Sequence, residues 1–314
     1  MHITKHLENA TKPIFSYEIV PPLRCTTSID TIFNIIEQLL PYDPKWINVT
    51  THASSLLYVE KNDGTITKRV HKKRPGTTGI CGVIQNKYGI DAVAHMLCQG
   101  FSQQETEDAL IELNYMGIDN VLALKGDNLN YKRIINDHET INHNAIDLVT
   151  QINNIREGKF LGDTEYSPIN FCTGVAGYPE KHFEAANMEL NIEYLKQKID
   201  AGAKYIVTQM FFDNNKYFNF VKQCRDAGIT VPIIPGIKVL KSINQLNSIP
   251  KMFYVDLPQQ LVADLSANPQ KADEVGKKWA MQQVGELLDF GVPCVHFFLM
   301  NDIGNVLEIV KEYQ

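Results

Sequence analysis

Short apolar runs recur along the whole chain and alternate with longer amphipathic stretches. Runs that are apolar on both faces are typical of parallel strands covered by helices. The pattern predicts eight strands, at residues 14–20, 46–50, 91–97, 120–124, 170–176, 205–210, 231–235 and 294–298. It predicts helices at residues 28–40, 77–87, 103–116, 145–154, 187–201, 215–227, 242–249, 258–265, 271–290 and 305–313.

This alternation of strands and helices favours a closed barrel. Eight strands with a helix between each and the next close most economically into an α/β fold of the (β/α)₈ TIM-barrel type, with extra helices. An open, doubly wound sheet is the rival arrangement. No Pro- or Gly-rich linker divides the sequence, so a single domain over residues 1–314 is expected.

Composition narrows the class of protein. The chain has 314 residues, of which 44% are hydrophobic and 21% charged, and its net charge is −6. These values disfavour disorder, collagen and a disulfide scaffold, and the mild acidity disfavours nucleic-acid binding. No apolar run approaches a membrane span, and the first residues lack an apolar signal core, so no membrane partner and a cytoplasmic location are expected.

Several familiar binding motifs are missing from the sequence. The six cysteines are scattered, which favours reduced core residues over bridges or zinc ligands. No close metal-ligand spacing occurs, so no metal site is expected. There is no Gly-x-Gly-x-x-Gly and no P-loop. A dinucleotide would therefore have to be held by barrel loops and helix N-termini.

One cluster of basic residues stands out, the stretch from Lys68 to Arg74. It is interpreted as a solvated loop. The alternative is a docking strip for phosphates or for a polyanionic substrate tail.

Polar residues collect at one rim, meaning the carboxyl ends of the barrel strands and the loops directly after them. Functional residues of such barrels lie there. The rim residues are Glu18, Thr50, Thr51, His52, His95, Lys125, Gly126, Asp127, Tyr178, His182, Thr208, Gln209 and His296. Their convergence predicts one site.

Glu18 is the most informative rim residue, because apolar neighbours and two following prolines place its carboxyl where water is scarce. Desolvation raises a carboxyl pKa and suits a general acid. An ion pair with a barrel Lys or Arg is the alternative. Asp127 is either a ligand-facing carboxylate or a turn residue, and Lys125 is either an imine-forming amine or an ion-pair partner. His95 and His296 are isolated in apolar strands, which for each residue alone favours a core histidine over a ligand.

At these residues the sequence resembles the methylenetetrahydrofolate reductases, in their bacterial catalytic-barrel form. The matching stretches follow family order and cover nearly the whole chain. They are residues 15–22, 49–50, 91–98, 122–127, 171–182, 198–213, 233–237 and 291–301.

The resemblance implies a barrel that binds FAD without a Rossmann domain. It implies reduction of 5,10-methylenetetrahydrofolate to 5-methyltetrahydrofolate in one-carbon and methionine metabolism. NADH or NADPH would supply the hydride through the flavin, with ping-pong kinetics. It also implies a homo-oligomer that acts on small molecules.

Carried over residue by residue, the resemblance assigns Glu18 as the general acid, Asp127 as the carboxylate beside flavin and pterin, and Gln209 as a folate contact. It assigns FAD contacts to Thr50, His95, Lys125, Gly126, Asp127, Ala176, Tyr178, His182, Lys198 and Ala201. Three positions depart from the family pattern. Lys125 stands where Arg is common, Asn191 where an Asp bonds the cofactor's sugar, and Ile243 where an aromatic stacks on substrate.

The sequence allows two other functions. One is a Schiff-base barrel lyase that uses Lys125, and the other is a non-catalytic barrel. The choice of NADH or NADPH is left open, as is the role of the loop at 129–143. Longer family members add a domain that senses S-adenosylmethionine. Since 314 residues leave no room for that domain, no regulatory domain and activity insensitive to S-adenosylmethionine are expected.

Overall fold

Eight parallel strands form a closed barrel in the computed structural model, which describes residues 1–24, 28–126, 135, 139–162, 164–299 and 303–314. The described strands are β1 (Ile14–Ile19), β2 (Trp46–Val49), β3 (Ser55–Glu60), β4 (Ile66–His71), β5 (Asp91–Leu97), β6 (Asn120–Leu124), β7 (Lys159–Phe160), β8 (Thr164–Glu165), β9 (Cys172–Gly177), β10 (Tyr205–Met210), β11 (Ile233–Ile237) and β12 (Cys294–Phe298). The barrel order is β1-β12-β11-β10-β9-β6-β5-β2.

Helices cover the outside of the barrel. They are α1 (Ile3–Glu8), α2 (Asp30–Leu39), α3 (Thr77–Tyr88), α4 (Gln103–Tyr115), α5 (Ala145–Arg156), α6 (Met188–Asp200), α7 (Asn214–Asp226), α8 (Gln245–Phe253), α9 (Gln259–Ala267), α10 (Ala272–Asp289) and α11 (Gly304–Tyr313). The predicted (β/α)₈ barrel with extra helices is confirmed, and all eight predicted strands lie within two residues of their observed bounds.

Burial explains why these runs become barrel strands. Every residue of β2 and of β11 is buried, as expected for strands that have helices on one side and the barrel interior on the other. The N-terminus of α4 also follows the prediction. Ser102 and Glu105 form a capping box, in which the Ser102 hydroxyl accepts the Glu105 N–H at 3.2 Å.

The amino end of the barrel is closed by a helix that the pattern did not predict. Ile3 and Leu7 of α1 are buried in one cluster with Trp46 and Tyr205, which fill the barrel interior at its amino end. Gly174 makes room for this packing, because a Cβ there would lie 2.3 Å from Cζ of Tyr205. The carboxyl end of the barrel is therefore the end available to ligands.

The interpretation of the basic stretch as a loop is wrong for most of its length. Residues 66–71 form β4, which pairs antiparallel with β3 in a hairpin inserted after β2. A second small ribbon, β7 with β8, was also not predicted.

None of the helices in the described residues is both long and apolar enough to cross a membrane. Five of the six cysteines are described, and each of the five is buried and reduced. Cys25 lies outside the described residues.

Candidate active site

Glu18 lies near the carboxyl end of β1, between its neighbours on β2 and β12. Its side chain is 14% exposed, and Oε2 lies 3.6 Å from Nε2 of His95 and 3.9 Å from Nε2 of His296. The two histidines come from β5 and β12. Closure of the barrel therefore brings together a carboxyl and two imidazoles that are far apart in sequence.

Hydrogen bonds fix both imidazoles. The Ser16 hydroxyl lies 2.9 Å from Nδ1 of His296, and the Asn48 amide donates to Nε2 of His95 at 3.3 Å. The Asn48 contact leaves the proton of a neutral His95 on Nδ1. Nε2 of His296 is buried and, among the described residues, has no hydrogen-bond partner, so it remains directed at the Glu18 carboxyl.

The charge state of Glu18 differs from the expectation. Burial raises the pKa of the carboxyl, but the imidazoles of His296 and His95 and the ammonium of Lys238 together outweigh burial and hold it below the usual range. Burial also lowers the pKa of His95 to about 4, so that imidazole is neutral near pH 7. The expected rise in the Glu18 pKa is therefore wrong for the protein without ligands.

Lys238 is a site residue that the sequence pattern missed. It directly follows β11, is 5% exposed, and donates to the carbonyl of Phe298 at 3.0 Å. Burial lowers the pKa of Lys238 to about 8. A lysine directly after an all-apolar strand was the available signal.

Gln209 reaches the rim through an irregularity in β10. The register between β10 and β11 shifts between Val207 and Met210, which marks a bulge. Bulges beside functional sites redirect a side chain. The Thr208 hydroxyl accepts the Gly236 N–H at 2.9 Å and fixes this distortion.

A cavity of about 360 Å³ lies at the carboxyl ends of β6 and β9, across the barrel from Glu18 on β1. Side chains from α6 and the N-terminus of α5 form its other walls. Six of the predicted cofactor-binding residues line this cavity, namely Lys125, Ala176, Tyr178, His182, Asn191 and Lys198. Its volume is within the range of small-molecule sites.

Two lysines line this cavity, Lys125 and Lys198. Nζ of Lys198 donates to the carbonyl of Ala176 at 3.3 Å, and burial lowers the pKa of Lys198 to about 8. Lys125 pairs with Glu184, at 2.6 Å and 2.8 Å to its two carboxylate oxygens. Glu184 is a second residue that the sequence pattern missed.

The loop after β9 is held in place by Asn191 of α6. The Asn191 amide donates to the carbonyl of Tyr178 at 3.2 Å, and its oxygen accepts the His182 N–H at 3.0 Å. The rings of Tyr178 and His182 meet edge to face at 4.6 Å. Asn191 thus acts on the loop that carries both rings, besides lining the cavity.

The remaining predicted residues lie elsewhere. Thr50 directly follows β2, and Gly126 directly follows Lys125 with a φ of 84°. Ala201 is the C-cap of α6 and packs on the hydrophobic shell, and Ile243 packs on the cluster that contains Met210. Asp127 and most of the loop at 129–143 lie outside the described residues.

The residues present fit a phosphate-bearing cofactor. The N-terminus of α5 lies at the cavity, where Asn144 caps it, and the positive end of a helix dipole favours anions. Lys198 and Lys125 add positive charge. Within the described chain, the buried atoms Oγ1 of Thr50 and Oδ1 of Asn48 have no hydrogen-bond partner. Buried polar atoms normally have one, so a ligand would satisfy them. Over the same residues, no cluster of potential metal ligands is present.

Fold and site together define a (β/α)₈-barrel protein with a small-molecule site at the carboxyl ends of its strands. The sequence profile of the methylenetetrahydrofolate reductase family matches residues 2–314, so the chain belongs to this family. The resemblance inferred from the motifs is confirmed.

Named relatives agree with this membership. A 5,10-methylenetetrahydrofolate reductase of Pectobacterium carotovorum is 30% identical and covers 91% of this chain, which spans 85% of that protein. The Escherichia coli protein of the same name is 29% identical over the same share, with 86% of its own length. A probable methylenetetrahydrofolate reductase (NADPH) of Caenorhabditis elegans is 29% identical over 98% of this chain. The chain spans less than half of that protein, 43%.

A solved structure shares the fold. It is an uncharacterized protein from Clostridium thermocellum that binds two copies of 5-methyl-5,6,7,8-tetrahydrofolic acid. The TM-score is 0.62 at 16% identity, with 99% of this chain and 98% of that one covered.

Proposed function

We propose that the chain reduces 5,10-methylenetetrahydrofolate to 5-methyltetrahydrofolate with NAD(P)H, by ping-pong hydride transfer through bound FAD. The observation that carries the proposal is the Glu18 carboxyl between two imidazoles at the same barrel rim as a cavity lined by Lys125 and Lys198. Family membership and the names of the relatives support the substrate.

Glu18 is the general acid in this proposal. Opening the five-membered bridge of the substrate needs a proton on the departing nitrogen, and Glu18 supplies it. Nε2 of neutral His95 lies 3.6 Å from Oε2 of Glu18, so a protonated carboxyl has an acceptor in reach if it takes the place of the Asn48 amide. Bound folate would exclude the remaining water around the 14% exposed side chain, which shifts the carboxyl toward its protonated form.

The cavity at β6 and β9 is the proposed cofactor site. Lys198, His182 and the α5 N-terminus would hold the phosphates, and Tyr178 would contact a ring. Thr50 and His95 lie between this cavity and Glu18 in strand order. FAD, when bound, supplies the carrier that accepts hydride from the nicotinamide and returns it to the folate carbon. Asp127 and Ala201 stay predictions as cofactor contacts.

Substrate orientation is assigned to Gln209 at the β10 bulge. In the unliganded protein its Oε1 accepts the neighbouring Met210 N–H at 2.9 Å, which leaves the amide N–H groups for a ligand. Ile243 stays a prediction as a substrate contact.

The reductant is proposed only as NAD(P)H. The relative from C. elegans carries NADPH in its name, whereas one from Arabidopsis thaliana carries NADH. The lyase alternative is not favoured, because the Lys125 ammonium is held by both oxygens of Glu184. An imine-forming amine needs to be available to its carbonyl substrate.

Stopped-flow spectroscopy tests the proposal. The purified protein should show a flavin absorption band, alone or after added FAD. NADH or NADPH should bleach the band, and methylenetetrahydrofolate should restore it anaerobically. A protein that binds no FAD, or a reduced flavin that folate does not reoxidise, would contradict the proposed function.

A further inference from the structure

The hairpin of β3 and β4, called the arm below (residues 55–71), is a well-specified structure. Its strands pair over six positions, from Ser55 with His71 to Glu60 with Ile66. At the turn, Gly64 has a φ of 78° and the Thr65 hydroxyl donates to Asp63 at 2.6 Å. A Gly in the left-handed region after Asp is a strong hairpin signal.

The base of the arm is fixed to the barrel rim. The Arg24 N–H donates to the carbonyl of Lys73 at 2.8 Å, and the Arg74 guanidinium donates to the carbonyl of Pro21. On the other side, the hydroxyls of Thr51 and Thr77 lie 2.6 Å apart. The arm therefore has a defined attachment beside the strand that carries Glu18.

Beyond its base, the arm is uncovered. Within the described part of the chain, β3 and β4 pack extensively only against each other. Five large apolar side chains are exposed on these two strands, namely Leu57, Tyr58, Val59, Ile66 and Val70. An isolated two-stranded hairpin is marginally stable in water, and clustered exposed apolar side chains mark interaction surfaces.

Charge indicates what covers the arm. Residues 55–74 contain six Lys or Arg and two Asp or Glu, a net charge of +4, whereas the whole chain carries −6. The remaining residues therefore carry −10. A basic, apolar arm on an acidic body is complementary to the body of another copy of the same chain.

The exposed face of α4 matches the arm in both respects. The helix contains four acidic side chains and no Lys or Arg. Its exposed positions include Asp108, Glu112 and Tyr115, and Tyr115 is 88% exposed. These three residues recur at helical spacing and form one stripe. The α4 stripe thus offers acidic groups to the basic side chains of the arm and an aromatic ring to its apolar side chains.

We propose that the arm docks on the α4 stripe of a second copy of this chain. The docking face is the side of the ribbon that carries Tyr58, Lys68 and Val70, with Lys68 facing Asp108 and Glu112. A polyanionic ligand would use the same basic groups but would leave the apolar side chains uncovered. Two such contacts related by a two-fold axis would form a closed dimer.

Sedimentation velocity of the full chain tests the proposal. The wild type should sediment as a dimer, with twice the 35.6 kDa chain mass. Lys68→Glu should raise the dimer dissociation constant by roughly tenfold or more, and so should Asp108→Lys/Glu112→Lys. Mixing the two variants, or combining the substitutions in one chain, should restore the dimer.

Controls separate docking from misfolding. Lys222→Glu, at an exposed position on α7, should leave the mass unchanged, and circular dichroism should show all variants folded. Tyr58→Ser should weaken the dimer without changing charge. A monomeric wild type, or a dimer that ignores both charge reversals, would overturn the proposal. So would a monomeric wild type that binds a tetraglutamate peptide through Lys68, which would assign the arm to a polyanion.

Discussion

Oε2 of Glu18 and Nε2 of His296 face each other at 3.9 Å across the junction of β1 and β12. The other nitrogen of the imidazole is held by Ser16, which lies two residues before Glu18 on the same strand. The carboxyl and the group that holds its partner in position are therefore fixed on one rigid element. This arrangement has consequences for both the rate and the pH dependence of the proposed reaction.

Replacing the proposed general acid should separate the two half-reactions. Glu18→Gln keeps the size of the side chain but cannot supply the proton, so folate reduction should fall by about 10²–10⁴-fold. Flavin reduction by NAD(P)H should stay within a few fold of wild type, because it needs no such proton. Stopped-flow traces of each half-reaction measure both rates.

Glu107→Gln is the matched control, since Glu107 is a buried glutamate that accepts the Leu161 N–H away from the rim. An equal loss in both half-reactions of Glu18→Gln would show that Glu18 holds the cofactor and is not the acid.

Removing the imidazole of His296 should move the pH profile of folate reduction. A general acid works while protonated, so the rate falls as the pH rises through its pKa. His296 helps to hold the Glu18 pKa down. His296→Gln should therefore shift the alkaline limb to higher pH. Ser16→Ala should shift it in the same direction, and Ser16→Thr should restore it.

A purely structural role for His296 would lower the rate at every pH and leave the limb in place. The pH dependence of the single-turnover rate distinguishes the two roles.

Glu180 should make the protein less stable as the pH rises toward neutrality. Burial raises the pKa of its carboxyl to about 7, while one oxygen accepts the Asp256 N–H at 2.9 Å. The folded chain thus binds a proton more tightly than the unfolded chain, whose glutamate pKa is about 4.3. The stabilising contribution of the protonated form is complete below that value and is lost as the pH rises to about 7.

Melting temperatures from pH 4.5 to pH 8 measure this loss. Glu180→Gln should flatten the profile and melt above wild type at pH 8. Parallel profiles for the two proteins would refute the assignment.

Filling the space at Gly174 should destabilise the barrel. A Cβ there would lie 2.3 Å from the buried ring of Tyr205, which is packed in the cluster at the amino end of the barrel. Gly174→Ala should cost about 1–3 kcal/mol in the free energy of unfolding, measured in urea. Gly79→Ala is the control, since an added Cβ in α3 meets no atom within 4 Å and should be neutral or stabilising. Equal stability of Gly174→Ala and wild type would mean that Tyr205 can move.

The barrel could be predicted because each strand, such as Asp91–Leu97, carries its burial in its own residues. The hairpin of β3 and β4 was missed for the opposite reason. Beyond its base, neither of its faces is covered by other described residues, so its sequence carries no pattern of buried and exposed positions. The Asp63–Gly64 turn was available as a signal, but the basic residues around Lys68 favoured a loop.

The meeting of Glu18, His95 and His296 could be predicted because the ends of parallel strands meet at one rim. The protonation of these groups and the partners that hold them could not. The pKa of Glu18 depends on His296 and Lys238, which approach from strands distant in sequence. Glu184 became the partner of Lys125 only through tertiary packing.

The pairing of β1 with β12 closes the barrel between the two ends of the chain. Glu18 lies on the first barrel strand and His296 on the last, so their contact spans nearly the whole sequence. Contacts between such distant segments are slow to form. Activity should therefore be the last property to return during refolding, and it can serve as a reporter of complete ring closure.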